Sequence, residues 1–323
     1  MANNARMYSL LGQRGTFGVC LDEVANKNDS VIAITSDLTR TSGLERFSAN
    51  HPDRFYNVGI AEQNSIGFAA GLADNGYVPF VTTFTNFSAL RSNEFMRHYM
   101  AYMKCNIKVV GLGSGFAMEL FGNTHYGVED IGAIRSFPNI EILSPCDGLE
   151  VAKCVEYSAE TKNPVYLRLS GRANNPMVNK DPDYDFKPGK AITLVDGSDV
   201  VIYATGSMVY NALKASKELG ARGISAGVVN IHTIKPIDSS AIMKNSGAKL
   251  AVSVEEHSVI GGLGSAISEV LSSQRAHPPL LKLGVKDRYI KAGRYEYMLS
   301  QNGLDVPSIV DSIAGCYEDV VKD

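Results

Sequence analysis

One octapeptide carries more chemical promise than any other stretch: Asn57-Val58-Gly59-Ile60-Ala61-Glu62-Gln63-Asn64. A β-rich run ends near Gly59 and a small-residue helical pattern begins near Ala61. Glu62 therefore falls at the C-terminal edge of a sheet, where α/β folds place ligands. Gly67, Ala69, Ala70 and Gly71 leave that helix almost bare, so another backbone can approach it closely. Taken alone, the carboxylate equally suits a helix N-terminus, where it stabilises the dipole. The other side chains able to hold a ring, move a proton or grip an anion are Phe84 and Phe87, His125 in GNTHYGVED, Asp37 in SDLTRTSGL, and Arg91, Arg168 and Arg172. A guanidinium suits phosphate, sulfonate or carboxylate through paired hydrogen bonds.

Other motifs promise less. Gly111-Leu112-Gly113-Ser114-Gly115 follows a strand pattern but is not a dinucleotide fingerprint, because residue 116 is Phe. Gly261-Gly262-Leu263-Gly264 reads as a close strand-to-helix turn. Glu255, Glu256 and His257 are adjacent on a strand, so their side chains alternate between faces and do not converge on one ion. Met and Tyr between 95 and 103 read as core or subunit interface.

The elements that must position these residues alternate in type. Strand patterns cover 30–36, 55–60, 77–84, 107–112 and 140–143. Helical spacing covers 16–26, 63–75, 88–104 and 149–160. That alternation predicts a parallel sheet with helices on both faces. Residues 173–190 hold three prolines and many Asn and Asp, and read as a linker. The rhythm then resumes, with strands at 198–204, 224–230 and 250–254 and helices at 208–220 and 264–271. The expected organisation is a first α/β domain over 1–172, the linker, and a second α/β domain over 191–323.

Composition excludes several classes. The chain has 323 residues, 45% hydrophobic and 20% charged, which is enough for two packed cores. A net charge of -3 gives no basic field for nucleic acid or an anionic membrane. Five cysteines, an odd number with no CxxC pair, fit reduced thiols better than disulfides or zinc. No apolar run approaches a membrane span and the first ten residues hold no signal core, so a soluble cytoplasmic protein is expected.

The motifs also stand in an informative order. After NVGIAEQN come Phe84 and Phe87, Arg91, GNTH at 122–125, FPN at 137–139, SPCD at 144–147 and PVYLR at 164–168. IHTIKPID at 231–238 and VEEHSVIGGLG at 254–264 complete the set. From about residue 16 to the end, this order resembles the C-terminal half of transketolase. Deoxyxylulose-phosphate synthases and the β chains of 2-oxoacid dehydrogenases are similar and form the rival enzyme readings. A binding or regulatory module without catalysis is the non-enzyme reading.

The resemblance implies a pyrimidine-binding domain followed by a transketolase C-terminal domain, with thiamine diphosphate as cofactor. Glu62 matches the glutamate that meets the aminopyrimidine ring nitrogen, where it must hold a proton; burial is expected to outweigh the helix dipole in setting its charge. Phe87, with Phe84 beside it, matches the ring stacked on the pyrimidine. Asp37 matches an acid near the thiazolium, and His125 the histidine facing the donor sugar. Arg172 or Arg168 matches a substrate-phosphate arginine, and Arg91 is either a third anion contact or a cover for a helix surface.

Two departures and one gap sharpen the expectation. Where the family has a sugar-contacting Asp this chain has Phe121, and where it has an upstream His this chain has Gly113. Those losses argue against the ordinary ketose phosphate, since hydrogen-bonding sites discriminate strongly. The Gly-Asp-Gly segment that holds diphosphate and magnesium is absent; 146–148 and 195–197 each lack the first glycine. The expected protein is therefore the C-terminal subunit of a split transketolase that moves a two-carbon ketol unit between sugars. Its magnesium and diphosphate would come with an N-terminal-type partner subunit, in a two-plus-two heterotetramer acting on an anionic sugar.

Overall fold

In the computed structural model, which describes residues 2–322 apart from 180 and 182, two sheets organise the chain. The first sheet takes β1 (Val31–Thr35), β2 (Phe55–Asn57), β3 (Val78–Phe84), β4 (Lys108–Ser114), β5 (Glu141–Leu143) and β6 (Val165–Ser170). The second takes β7 (Ile192–Val195), β8 (Val200–Ala204) and β9 (Ala226–Asn230), then, after β10 (Thr233–Lys235), β11 (Leu250–Ser258) and β12 (Leu280–Val285). Strand β10 crosses back and pairs antiparallel with β5, so the orders are β10-β5-β6-β4-β3-β1-β2 and β12-β11-β8-β9-β7. Among the described residues, only β10 and β7 run antiparallel to their neighbours. The central strands β1, β4, β6 and β8 are buried along their whole length, as helices on both faces require.

The expected α/β class is what the molecule shows, with differences at particular elements. The strand pattern at 55–60 stops at Asn57, because Gly59 turns the chain with φ 73°. The helix at 63–75 begins one residue earlier, at Glu62. The pattern at 88–104 winds as π-helical turns around a short α-helical segment across 87–102. The first helical segment reaches back to Ala2 and breaks at Gly12, where a Cβ would lie 2.5 Å from the Arg172 carbonyl. Strands β6, β7, β10 and β12 and the C-terminal helix Val306–Lys322 were not anticipated.

The two halves share their core. One cluster joins Ile131, Ile134 and Tyr166 to Ile231, Leu263 and Ile267; another joins Phe116 and Tyr126 to Val200, Val252 and Val285. The segment 173–190 is also packed: Val178 and Asn179 donate backbone N–H groups to Asp147, and Phe186 rests 4.6 Å from the His232 ring. Among the described residues, no helix is long and apolar enough to cross a membrane.

Candidate active site

The parallel register brings the ends of β1, β2, β3 and β4 to one edge of the first sheet. Asn57 ties two of the loops there. Its Oδ1 accepts from the Asp37 and Gly59 N–H groups at 3.1 and 3.0 Å, and its Nδ2 donates to Asp37 at 3.1 Å. Asp37 needs that support, since it is exposed and holds φ at 59°. Asn57 thereby sets where the next helix starts, and Glu62 is its first residue.

Glu62 is 2% exposed, and Arg91 Nη1 donates to both of its carboxylate oxygens at 2.8 Å. The same guanidinium lies over the Phe87 ring, 4.3 Å from its centroid. Arg91 is thus neither a free anion contact nor a surface cover, and Glu62 faces a cation rather than an apolar wall. The π-helical turn Phe87–Arg91 makes this possible, because it carries both the ring and the guanidinium to the same side.

His125 closes the other wall. Its ring stands edge-on to Phe84 and Phe87 at 5.8 and 5.5 Å, and Phe121 lies against it at 5.1 Å. Thr124 Oγ1 meets His125 Nδ1 at 2.9 Å, which leaves Nε2 for another partner. The loop bearing His125 is pinched at its neck, where Gly115 and Gly127 exchange backbone hydrogen bonds of 2.7 and 3.2 Å. Side chains at these two glycines would strike Glu256 and Thr85 respectively.

The acid run on β11 supports that loop. Glu256 is buried and accepts from the Phe116 N–H at 2.5 Å and from the Ser207 and Tyr295 hydroxyls at 2.6 and 2.7 Å. Burial raises its pKa, partly offset by those donors. Glu255 points the other way and caps the helix Leu263–Leu271 through the Leu263 and Gly264 N–H groups. His257 Nδ1 donates to the Ser258 carbonyl, and burial pushes the ring's pKa down to about 4. These three residues are struts, and only their positions behind the loop, which sequence does not show, reveal it.

The remaining arginines part company. Arg168 lies outside the pocket: it is buried, and donates to Asp130 at 2.8 Å and to the Gly127 and Glu256 carbonyls. Arg172 is 41% exposed in its side chain, and Glu119 and Glu296 hold it at 2.7 and 3.0 Å. Gly113 has φ 69°, and a Cβ there would lie 2.6 Å from Met118 Sδ, so the thioether leaves no room for a side chain at this position. Asn57, the pairing of Arg91 and the role of Thr124 escaped sequence reasoning; the position of Asn57 in the octapeptide was the one available signal.

A buried carboxyl group and an aromatic ring at one sheet edge are the hydrogen-bonding and stacking groups that an aminopyrimidine needs, and here the Arg91 guanidinium occupies both. The residues therefore fit that half of thiamine diphosphate. The candidate diphosphate segments offer no second half. Asp147 caps the helix Gly148–Glu160 through the Glu150 N–H and accepts Val178 and Asn179, while Asp196 sits in an exposed turn.

A sheet edge of this build, followed by a second mixed sheet, defines the pyrimidine-binding and C-terminal units of one enzyme class. The model of the transketolase pyrimidine binding domain matches residues 12–176, and that of the transketolase C-terminal domain matches 189–309. The chain belongs to the transketolase family, whose domains imply use of thiamine diphosphate. It is similar to the 6-deoxy-6-sulfo-D-fructose transketolase subunit of Clostridium sp. strain MSTE9, with 40% identity over 92% of each chain. It is 36% identical to one of the subunits of apulose-4-phosphate transketolase from Phocaeicola vulgatus, over 96% of this chain and 97% of that one. A split-gene transketolase solved as an inactive β4 tetramer superposes with a TM-score of 0.87 and 36% identity, over 95% and 98% of the two chains. The relatives are transketolase-type subunits, and this chain is one as well.

Proposed function

We propose that this chain is the C-terminal subunit of a split thiamine diphosphate-dependent transketolase. It transfers a two-carbon ketol unit from a ketose donor to an aldose acceptor, together with an N-terminal-type partner subunit. The partner supplies the diphosphate and magnesium contacts, two copies of each chain making the active assembly. The observation that carries this reading is the buried Glu62 carboxylate at the sheet edge, joined to the Phe87 ring through Arg91, while Asp147 is spent as a helix cap. The full-length match to transketolase subunits supports it.

The cofactor supplies carbanion chemistry at its thiazolium carbon, and this chain positions and protonates. Phe87, flanked by Phe84, would stack on the pyrimidine when the cofactor is bound. Glu62 would hydrogen-bond the ring nitrogen and so bear on the ring's tautomer. Asp37 would face the thiazolium. His125 presents Nε2 to the reacting oxygen of the donor, fixed by Thr124 on its other nitrogen. Phe121 lines the donor channel, and Arg172 receives the anionic end of the sugar as Glu119 and Glu296 turn aside. Arg168 stays behind as a strut. The domain boundaries proposed are those read from sequence: 1–172, 173–190 and 191–323.

Two measurements test this. Calorimetric titration of thiamine diphosphate into the chain alone is expected to show weak binding with or without magnesium, and no turnover. Tight magnesium-dependent binding to the lone chain overturns the split assignment. In the assembled enzyme, Glu62→Gln keeps a hydrogen bond to the ring but cannot pass a proton. Turnover at saturating cofactor is expected to fall about 10²–10⁴-fold, the usual scale of acid–base catalysis. Near-normal turnover would remove Glu62 from the role.

A further inference from the structure

The place that the proposed function assigns to a pyrimidine is held by a side chain of the protein itself. Arg91 brings a flat, delocalised, N–H-bearing group onto the Phe87 face at 4.3 Å and onto both oxygens of Glu62 at 2.8 Å. A protonated aminopyrimidine is also flat, delocalised and N–H-bearing. The two groups require the same acceptor and the same ring face. They cannot share them, because stacked planes sit closer than the space that the guanidinium leaves. Phe84 and His125 stand edge-on to Phe87 at 6.0 and 5.5 Å.

We propose that Arg91 is an internal place-holder for the cofactor ring, and that cofactor binding requires the guanidinium to swing out. The proposal rests on the reading of Glu62 and Phe87 as the pyrimidine pocket. The geometry explains both states. With the guanidinium in, the buried Glu62 carboxylate is not left without a partner, a strongly unfavourable situation inside a protein. With it out, Arg91 has somewhere to go: its side chain is 42% exposed, and among the described residues Glu62 is its one carboxylate partner. The neighbouring π-helical geometry, from 87 to 91 and again from 96 to 102, leaves a backbone that can shift register locally. The consequence is a cofactor affinity lowered in proportion to the fraction of molecules with the pocket free. A half-exposed pair is a weak one, so removing the place-holder tightens binding by about three- to tenfold.

The test uses thiamine, which lacks the diphosphate and so reads this chain's pocket. Thiamine is titrated calorimetrically into the full chain as wild type, Arg91→Ala, Arg91→Gln, Glu62→Gln and the double Glu62→Gln/Arg91→Ala. Both Arg91 variants are expected to bind about three- to tenfold more tightly than wild type. Glu62→Gln is expected to weaken binding, and the double variant to lose the gain. If the Arg91 variants bind more weakly or equally while Glu62→Gln weakens binding, the place-holder falls and the pocket stands. If neither position changes affinity, the pocket reading itself falls and the place-holder with it. Should thiamine bind too weakly to measure, methylguanidinium decides. At millimolar concentration it is expected to raise the melting temperature of Arg91→Ala but not that of the double variant; no shift overturns the proposal.

Discussion

Two arginine–carboxylate pairs in this molecule put the same kind of contact to opposite ends. At the sheet edge, Arg91 holds Glu62 with one nitrogen, and its side chain is 42% exposed. Behind the His125 loop, Arg168 holds Asp130 with both side chains essentially out of water, at 1% and 0%. The buried pair has further partners: Arg168 also reaches the Gly127 and Glu256 carbonyls, and the Tyr166 hydroxyl donates to Asp130 at 2.9 Å. The edge pair has no such scaffold, only the Phe87 ring. One pair ties the loop to the second sheet; the other can be exchanged for a ligand. What separates them is burial and the number of further donors, because the ionic contact itself is alike.

The comparison breaks most directly by removing each arginine. Arg168→Met leaves Asp130 buried and uncompensated, and is expected to cost about 3–5 kcal/mol of folding stability. Arg91→Ala strands the buried Glu62 carboxylate, but at a site where the arginine itself is half-exposed, and is expected to cost less, about 1–3 kcal/mol. Urea denaturation of the two variants checks this, and equal losses would show that the two pairs do the same job. The double variant Arg168→Met/Asp130→Leu is expected to recover most of the loss, since a buried pair replaced whole by apolar side chains is often neutral.

A third carboxylate sharpens the contrast, because it is buried with no arginine at all. Glu150 accepts the Cys146 N–H at 2.7 Å and the Asn230 amide at 2.9 Å, between the first helical layer and β9. Burial, helped by nearby Asp147, pushes its pKa up from 4.5 to about 7. A carboxyl raised on folding contributes stability that is complete below its unfolded value and is lost as pH rises through its folded value. That window runs from about 4.5 to about 7. Glu150→Gln removes this slope, so the wild type is expected to lose stability relative to the variant between about pH 4.5 and 7, on the order of 1–3 kcal/mol. Buried His232, pushed down to about 4, acts with the opposite sign: its contribution is present above 6.5 and is lost on acidification. The wild-type curve alone therefore stays shallow, and denaturation of both proteins at each pH is the measurement. A difference that does not change with pH would mean that Glu150 titrates as an ordinary exposed carboxyl.

How much of this was legible depended on distance along the chain. The alternation of strands and helices from 30 to 160 was readable, because each element carries its own period. The position of Glu62 was readable too, since strand, turn and helix are contiguous there. The pairing of Arg91 was not: it depends on a π-helical winding that shifts where side chains point, and the sequence shows only a helical period. Arg168 was read as a pocket residue because a motif gives order without depth. That it lies beneath the loop follows from β6 being an interior, fully buried strand of its sheet. Strand β10 was missed because three residues crossing to the other sheet leave no local pattern. Likewise, only the fold shows that Glu256 and His257 brace segments more than 100 positions upstream while Glu255 caps the next helix.

The smallest expected effect lies in the wall opposite both arginines. Phe121, expected from the resemblance to replace an acid, is 64% exposed and leans on His125 at 5.1 Å. Its companion loss, Gly113, cannot be reversed, since any side chain there meets Met118 in a backbone conformation that favours glycine. Phe121 is open to change: it ends a short turn, touches little, and replacing it disturbs no core. With two polar contacts gone, the wild-type assembly is expected to handle xylulose 5-phosphate poorly, or to accept its stereoisomers and a sulfonated ketose nearly as well. Phe121→Asp returns one hydroxyl partner, worth roughly 1–3 kcal/mol when fully made, and is expected to raise the preference for xylulose 5-phosphate about tenfold. The ratio of kcat/KM between donors, measured in the complex for both proteins, is the reading. If the wild type already prefers xylulose 5-phosphate strongly and the acid weakens that preference, then the aromatic wall is itself the specificity element. In that case the pocket is built on Phe121 and His125 together, and the edge pair of Arg91 and Glu62 governs the cofactor alone.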